Sequence, residues 1–253
     1  MPEPFPSHQD QVRRFFGNTR VFLERNFVTA LRHEALGHWT AGMRFHHVID
    51  LACGDGTLGL SLLPHTGRLT LLDLSPEMLE IAQGKIPVQE ISRVHLLRAD
   101  LMEADLPHQS FDLVICTGML AHVIRPEDAF RKLAALCTPG GYLLLQNTND
   151  QHAYSRVVSA WGRLRRWTGK ETYPLSRIRG SQLRKWALEE GMQELHRYRS
   201  IVSFMFMSRY LSGECKGKIV RGLFGTPESP RRQALGNDEI ILFRKEDHGQ
   251  AQG

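Results

Sequence analysis

Three aspartates each end a short apolar run in the first half of the chain, and their type and spacing suit nucleoside binding. They are Asp50, Asp73 and Asp100, and Asp73 lies 23 positions after Asp50. Apolar runs of this kind are typical of buried strands. A carboxylate about 20 residues beyond a glycine loop can accept hydrogen bonds from both hydroxyls of a ribose. The three acids therefore predict a nucleoside site at the ends of neighbouring strands.

A glycine loop follows the first of these acids. Gly54 and Gly56 lack a Cβ, so the backbone can turn sharply there and approach a ligand through its amides. A structural turn without a ligand is the alternative explanation. Ala52 takes the first position of the dinucleotide motif G-x-G-x-x-G, and nothing after Gly56 supplies the last glycine. The loop therefore fits a nucleoside without a pyrophosphate better than a dinucleotide. The leucines that predict a helix after the loop are Leu58, Leu60, Leu62 and Leu63.

Five blocks of sequence, taken together and in order, resemble the class I S-adenosylmethionine-dependent methyltransferases. They are VIDLACGDG at 48–56, LDLSPEML at 72–79, RADL at 98–101, FDLVIC at 111–116 and TPGGYLLL at 138–145. The resemblance implies an α/β, Rossmann-like fold. Its sheet would have seven mostly parallel strands with an antiparallel last strand, an N-terminal helical lid and an inserted cap. It also implies S-adenosylmethionine as the methyl donor.

The same resemblance assigns roles to residues of this chain. Asp73 would bind the ribose of the donor, Asp100 and Leu101 its adenine, and Asp50 would orient its amino group. Thr117 would lie beside the sulfonium. The full set of expected donor-binding residues is Arg20, Asp50, Ala52, Cys53, Gly54, Gly56, Asp73, Leu74, Met78, Asp100, Leu101, Thr117 and Gly118.

His122, shortly after the fourth predicted strand, is the candidate catalytic base. Methyl transfer from a sulfonium requires alignment of the nucleophile and, for a protic acceptor, removal of a proton. An imidazole titrates near neutral pH and can take that proton. The alternative is that His122 only packs beside the donor and hydrogen-bonds to the backbone. The chemistry requires no metal, and the sequence contains no cluster with metal-ligand spacing.

Polar residues after the fifth strand are candidates to bind the acceptor. The expected acceptor residues are Phe16, Asn147, Asn149, His152 and Tyr154. Asp150 lies in the same stretch, and His152 and Asp150 are the base candidates that remain if His122 is not the base. The alternative for the polar group is a turn that caps the next helix. The alternative for Phe16 is an apolar helix stripe that packs on the sheet.

The chain is predicted to form a single domain over 1–246. Its parts are an N-terminal helical lid at 1–40, a donor-binding core at 46–147, substrate-cap insertions at 151–175 and 202–236, and a disordered tail at 247–253. The second insertion could instead mediate a contact in a homodimer. A last crossover helix is predicted at 181–190, followed by two strands, 192–201 and 239–244, as an antiparallel hairpin at the sheet edge.

Composition agrees with one enzyme domain and limits its partners. The chain has 253 residues, a hydrophobic fraction of 42% and a net charge of +5. No stretch approaches a membrane span or a secretory leader, so a cytoplasmic protein is expected. The four cysteines are isolated and show no zinc spacing, and three of them lie in predicted core elements, where reduced, buried thiols are expected; the four are Cys53, Cys116, Cys137 and Cys215.

These observations favour methyl transfer to oxygen or nitrogen of a small molecule. Basic residues late in the chain leave methylation of tRNA or protein as an alternative, although TGML at 117–120 stands where DNA adenine methyltransferases carry D/N-P-P-Y/F. The basic segment 153–167 and the apolar segment 204–207 leave a membrane-associated lipid or quinone methyltransferase open. A donor-binding partner subunit without turnover is the remaining alternative.

Overall fold

The computed structural model describes residues 26–149, 152, 155–156, 178–201 and 211–247. Within these residues a seven-stranded sheet has the order β3-β2-β1-β4-β5-β7-β6. The strands β1 to β5 pair in parallel, whereas β7 is antiparallel to both β5 and β6. The predicted fold class is confirmed. The strands are β1 (Phe45–Leu51), β2 (Thr66–Asp73), β3 (Val94–Arg98), β4 (Phe111–Cys116), β5 (Cys137–Thr148), β6 (Met192–Ser200) and β7 (Asp238–Lys245).

Helices cover both faces of the sheet. They are α1 (Asn26–Trp39), α2 (Thr57–Leu60), α3 (Pro76–Gly84), α4 (Pro126–Leu136), α5 (Gly180–Glu189) and α6 (Gly213–Phe224). Residues of α1, α2, α3 and α6 share one buried apolar cluster with the sheet, and residues of α4 and α5 share the other. A sheet covered on both faces requires nearly continuous apolar strands. Val48, Ile49 and Leu51 of β1 are accordingly fully buried.

The helix after the glycine loop is shorter than the run of leucines predicts. The helix α2 makes a single turn, and a short 3-10 helix follows at Leu63–His65. Pro64 explains why the α-helix does not continue, because a proline has no backbone N–H to donate to the carbonyl oxygen four residues before it, here that of Leu60. By contrast, α5 ends within one residue of its predicted end, and Gly191 takes the left-handed conformation with φ 63°.

The last two strands form the predicted antiparallel pair at the edge of the sheet, with the earlier strand outermost. The strand β7 lies between β5 and β6, so β6 forms the edge of the sheet. The connection between these strands contains α6, which packs against α1. A Cβ added at Gly217 of α6 would lie 3.3 Å from the Cβ of Phe27, and Arg221 of α6 forms an ion pair with Glu34 of α1.

Several expectations fall on residues outside the described ranges. They concern Phe16, Arg20, Asp150, Tyr154, the segments 1–25, 157–177 and 202–210, and the tail at 248–253. The roles of the lid and cap segments stay predictions. Among the described residues, no helix is long and apolar enough to span a membrane.

The predicted burial of three cysteines is confirmed. Cys53, Cys116 and Cys137 are buried, whereas Cys215 is half-buried. Burial raises the pKa of both Cys116 and Cys137 to about 12. These two thiols are therefore neutral at physiological pH and pack as small apolar groups.

A buried tyrosine of β6 offers a test of how the sheet and α6 are joined. Tyr198 is fully buried, and its hydroxyl donates a hydrogen bond of 2.9 Å to the carbonyl oxygen of Gly225 at the end of α6. In Tyr198→Phe that carbonyl loses its donor, so we expect the free energy of unfolding to fall by about 1 to 3 kcal/mol. Urea denaturation measures the change.

The matched control is Tyr142→Phe. The Tyr142 side chain is half-buried on β5, and its hydroxyl has no hydrogen-bond partner among the described residues. The free energy of unfolding of this variant should remain within about 0.5 kcal/mol of that of the wild type. Equal effects of the two substitutions would show that the bond between Tyr198 and Gly225 contributes nothing.

Candidate functional site

Asp50 is buried at the edge of the sheet where the parallel strands end, on the central strand β1. It lies near the end of β1, and its side chain is 2% exposed. Its Oδ2 accepts a hydrogen bond of 3.0 Å from the backbone amide of Gly59 in α2. Burial raises its pKa to about 7, and the charges of Asp73 and Asp55 raise it further, whereas the Gly59 amide and Arg32 oppose the rise. The carboxyl therefore titrates near neutral pH in a place where a cationic ligand group would favour its ionised form.

Every second residue of the loop after β1, from Ala52 to Gly56, adopts the left-handed backbone conformation. Ala52, Gly54 and Gly56 have φ values of 56°, 55° and 72°. A Cβ at Gly56 would lie 3.0 Å from the Cβ of Ala82 and 3.1 Å from a methyl group of Leu71. Glycine is therefore required at position 56 by packing as well as by conformation. Alanine at position 52 pays a conformational cost, since residues with a Cβ rarely adopt positive φ.

Asp73 joins this loop to the next helix. Its Oδ2 accepts a hydrogen bond of 2.8 Å from the amide of Gly54, and its Oδ1 accepts one of 2.9 Å from the amide of Ser75. The Ser75 hydroxyl in turn caps α3 by accepting from the amide of Met78 at 3.2 Å. Burial raises the pKa of Asp73, and the amide hydrogen bonds lower it in part. The carboxylate is thus held in one orientation beside the glycine loop.

An ion pair closes the outer side of the loop. Lys85, just after α3, contacts the Asp55 carboxylate and donates to the Thr57 hydroxyl at 2.9 Å. Burial opposes ionisation of Asp55, but the hydrogen bonds from Lys85 and Thr57 outweigh it and lower the pKa. The loop is therefore tied to both ends of α3.

The remaining expected donor residues lie along the same edge. Asp100 follows β3, and its Oδ1 accepts a hydrogen bond of 2.7 Å from the amide of Met102. Leu101 and Met78 are buried, at 4% and 3% exposure. Leu74 and Thr117 are half-buried after β2 and β4. The structure brings these loops together, and their individual contacts with a donor stay predictions.

Arg32 of α1 is a site residue that sequence reasoning missed. Its Nη2 lies 2.7 Å from the position that a Cβ of Gly118 would occupy, directly on the loop after β4. Its Nε donates a hydrogen bond of 2.6 Å to the side-chain oxygen of Gln146 on β5. The Gln146 amide nitrogen donates to Oδ2 of Asp238 on β7, also at 2.6 Å. Gln146 and Asp238 are 6% and 3% exposed.

A signal for Asp238 was present in the sequence. An acid stands there at the start of an apolar strand, which mirrors the acids at the ends of β1 and β2. Because β7 is antiparallel, its amino end lies at the same edge of the sheet as the carboxyl ends of the parallel strands. No comparable signal marked Arg32, whose place over Gly118 depends on how α1 packs.

The residues predicted to bind an acceptor lie in two places. Asn147 is 3% exposed near the end of β5. Asn149 accepts from the amide of Gly180 at 3.2 Å and donates to Glu239 at 3.4 Å. His152 instead contacts the carbonyl oxygen of Ala234 at 2.9 Å, in the connection between β6 and β7. The first two residues therefore border the carboxyl edge at the base of the predicted cap.

His122 lies half-buried at the end of a short 3-10 helix after β4. Its backbone amide donates to the carbonyl oxygen of Met119 at 2.7 Å. The geometry places it on the connection that enters α4, beside the predicted donor loop at Thr117 and Gly118. Its role as a base stays a prediction.

A glycine loop, a buried acid and an amide-held acid at the carboxyl edge define an α/β protein of the nucleoside-binding, Rossmann-like class. Residues 48–141 match the methyltransferase domain family. The matched region is similar to a methyltransferase domain, and it spans the first four of the five sequence blocks and part of the fifth.

Known proteins resemble this chain in sequence and in fold. Ubiquinone biosynthesis O-methyltransferase of Coxiella burnetii is 28% identical over 151 residues, which are 59% of this chain and 64% of that protein. The chain thus matches less than two thirds of the length of that relative.

Solved structures show the likeness of the fold. Magnesium protoporphyrin IX methyltransferase of Synechocystis PCC 6803, with bound S-adenosylhomocysteine, has a TM-score of 0.61 and 17% identity, over 95% of this chain and 100% of that chain. The N-methyltransferase NodS of Bradyrhizobium japonicum WM9, also with S-adenosylhomocysteine, has a TM-score of 0.56 and 16% identity, over 87% of both chains.

The raised pKa of Asp50 predicts a pH dependence of stability. Because its pKa of about 7 lies above the ordinary aspartate value of about 4, the folded protein retains a proton between these pH values that the unfolded chain has lost. Asp50 therefore lowers the free energy of unfolding as pH rises through this window. Relative to the wild type, Asp50→Asn should gain stability by up to roughly 1 kcal/mol per pH unit between pH 4 and 7 and stay level above it.

Urea denaturation at stepped pH measures this difference. Asp73→Asn is the comparison. Burial also raises the pKa of Asp73, but two amide hydrogen bonds lower it in part, so its substitution should change the pH dependence of stability less. A difference between Asp50→Asn and the wild type that does not change with pH would contradict the raised pKa.

Proposed function

We propose that the protein transfers the methyl group of S-adenosylmethionine to an oxygen or nitrogen atom of a small-molecule acceptor. The observation that carries the proposal is the Asp73 carboxylate, which two backbone amides hold beside the glycine loop. A carboxylate held this way is suited to accept hydrogen bonds from two ribose hydroxyls. Asp100, just after the neighbouring strand β3, would accept a hydrogen bond from the adenine amino group.

The charges at the edge suit the amino-acid end of the donor. Asp50 is buried, and its charge is compensated only in part by the Gly59 amide and by Arg32. The ammonium group of the donor would supply the missing positive charge and stabilise the ionised carboxyl. The loop at Thr117 and Gly118 would then lie beside the sulfonium, where in-line displacement requires an aligned nucleophile and exclusion of water.

The names of similar proteins support a small-molecule acceptor. The Coxiella burnetii relative is an O-methyltransferase of ubiquinone biosynthesis, and the two solved structures are a methyltransferase of magnesium protoporphyrin IX and an N-methyltransferase. We infer that this chain also acts on a small molecule. Incubation with labelled donor and fractionated extract of the native cell, followed by mass spectrometry of the labelled product, would identify the acceptor.

Removal of the Asp73 carboxylate tests donor binding. We expect Asp73→Ala to bind S-adenosylhomocysteine at least about tenfold more weakly, since hydrogen bonds to a charged group are worth roughly 1.5 to 3 kcal/mol. Titration calorimetry measures the affinity. The control is Glu77→Gln, which removes an exposed carboxylate in the first turn of α3, the helix that follows Asp73, and which should leave affinity unchanged. Unaltered binding by a folded Asp73→Ala protein would refute the proposed donor site.

Replacement of His122 separates a base from a packing residue. If His122 takes the proton of the acceptor, His122→Gln should lower the turnover number about 100-fold with little change in donor affinity. The loss should shrink as pH approaches the pKa of the acceptor, which then ionises without help. Initial rates across pH, with the acceptor identified as above, measure this. Full activity at neutral pH would exclude the role of a base.

A further inference from the structure

A chain of side-chain hydrogen bonds links α1 to the last strand of the sheet across the candidate site. It runs from the guanidinium of Arg32 through the amide of Gln146 to the carboxyl of Asp238, with both bonds at 2.6 Å. The other carboxyl oxygen of Asp238 accepts from the Thr148 hydroxyl at 3.2 Å. Both bonds of the chain join elements far apart in sequence, so its members meet only in the folded protein.

The chemistry of the two ends fixes the direction of the amide. A guanidinium can only donate hydrogen bonds, and an ionised carboxylate can only accept them. Gln146 must therefore direct its oxygen toward Arg32 and its nitrogen toward Asp238. Burial raises the pKa of Asp238 to about 6, and the hydrogen bond from Gln146 and the charge of Arg32 limit the rise. The carboxyl is thus ionised at physiological pH, and the chain of bonds has one arrangement.

The consequence of this arrangement is a fixed cation on the loop after β4. The Nη2 atom of Arg32 lies against Gly118, in a position that any side chain at residue 118 would obstruct. The charge of Arg32 also reaches Asp50, whose pKa it lowers. The guanidinium therefore lies between the predicted donor loops and the end of β5, where donor and acceptor would meet.

We propose that Gln146 and Asp238 are positioning residues that hold the guanidinium of Arg32 against Gly118 as a binding group for a carboxylate. The proposal rests on the proposed function. The planar guanidinium matches a carboxylate through two parallel hydrogen bonds, provided that its plane is fixed. The carboxylate belongs either to the amino-acid end of the donor or to the acceptor, and the experiment separates these sources.

A purely structural role for the chain of bonds is a weaker explanation. The helix α1 is already attached by the buried side chains of Phe27, Leu31 and Leu36 and by the ion pair of Glu34 with Arg221. The buried carboxyl of Asp238 and amide of Gln146 would be an unfavourable way to attach α1 more firmly to the sheet, because burial of polar groups is unfavourable unless every hydrogen bond is made.

The first arm of the test compares two ligands that differ in the amino-acid end. S-adenosylhomocysteine carries the carboxylate, and 5′-methylthioadenosine lacks it. Titration calorimetry gives the affinity for S-adenosylhomocysteine divided by the affinity for 5′-methylthioadenosine. This ratio is measured for the wild type, Gln146→Met, Asp238→Asn and Arg32→Met. If the carboxylate is that of the donor, each variant should reduce the ratio about tenfold or more while binding of 5′-methylthioadenosine stays the same.

The second arm tests the acceptor as the source of the carboxylate. The protein is saturated with S-adenosylhomocysteine, and binding of 3,4-dihydroxybenzoate is compared with that of 3,4-dihydroxybenzamide. If the carboxylate is that of the acceptor, the wild type should prefer the acid, and the same variants should lose the preference while the first ratio stays unchanged.

The control is Glu34→Gln, which removes another attachment of the same helix. It should keep the wild-type ratios in both arms, whatever its effect on stability. The proposal is overturned if the folded variants Gln146→Met and Asp238→Asn keep both wild-type ratios, or if Glu34→Gln loses them equally. Gln146→Met serves alone where Asp238→Asn does not fold. A wild type that binds neither nucleoside would instead refute the proposed function.

Discussion

Aspartate side chains are buried at the edge of the sheet where the parallel strands end, and the arrangement of the site depends on this burial. Asp50 is nearly inaccessible to water, so each opposing amide or cation contributes to whether it can ionise. The first turn of α2 provides an amide, and α1 provides the charge of Arg32. The short loop after β1 brings α2 close enough for this, at the expense of left-handed backbone at Ala52.

The antiparallel placement of β7 brings a second buried acid to the same edge. Asp238 begins β7 beside the end of β5, and Gln146 separates it from Arg32. Arg32 and the buried acids Asp50 and Asp238 therefore lie at the edge where a donor would bring a carboxylate, an ammonium and a sulfonium. This complementarity of charge gives a physical reason for polar groups that a packed core would otherwise exclude.

Local sequence was sufficient where a feature depends on neighbours along the chain. The strands β1 and β4, the acids Asp50 and Asp73 and the left-handed Gly191 follow from apolar runs, strand ends and turn chemistry within a few residues. The single turn of α2 was less evident, because the leucines after the glycine loop favour a longer helix than the proline that follows allows.

The sequence by itself determined the class of fold, the glycine loop and the acids at the strand ends, since strand ends are set by short-range patterns. Only the tertiary structure decided that Arg32, Gln146 and Asp238 form one chain of hydrogen bonds over Gly118. The physical reason is that these residues are 114 and 92 positions apart in their pairs. Their contact is produced by the packing of α1 and the insertion of β7 between two strands, which no local pattern records.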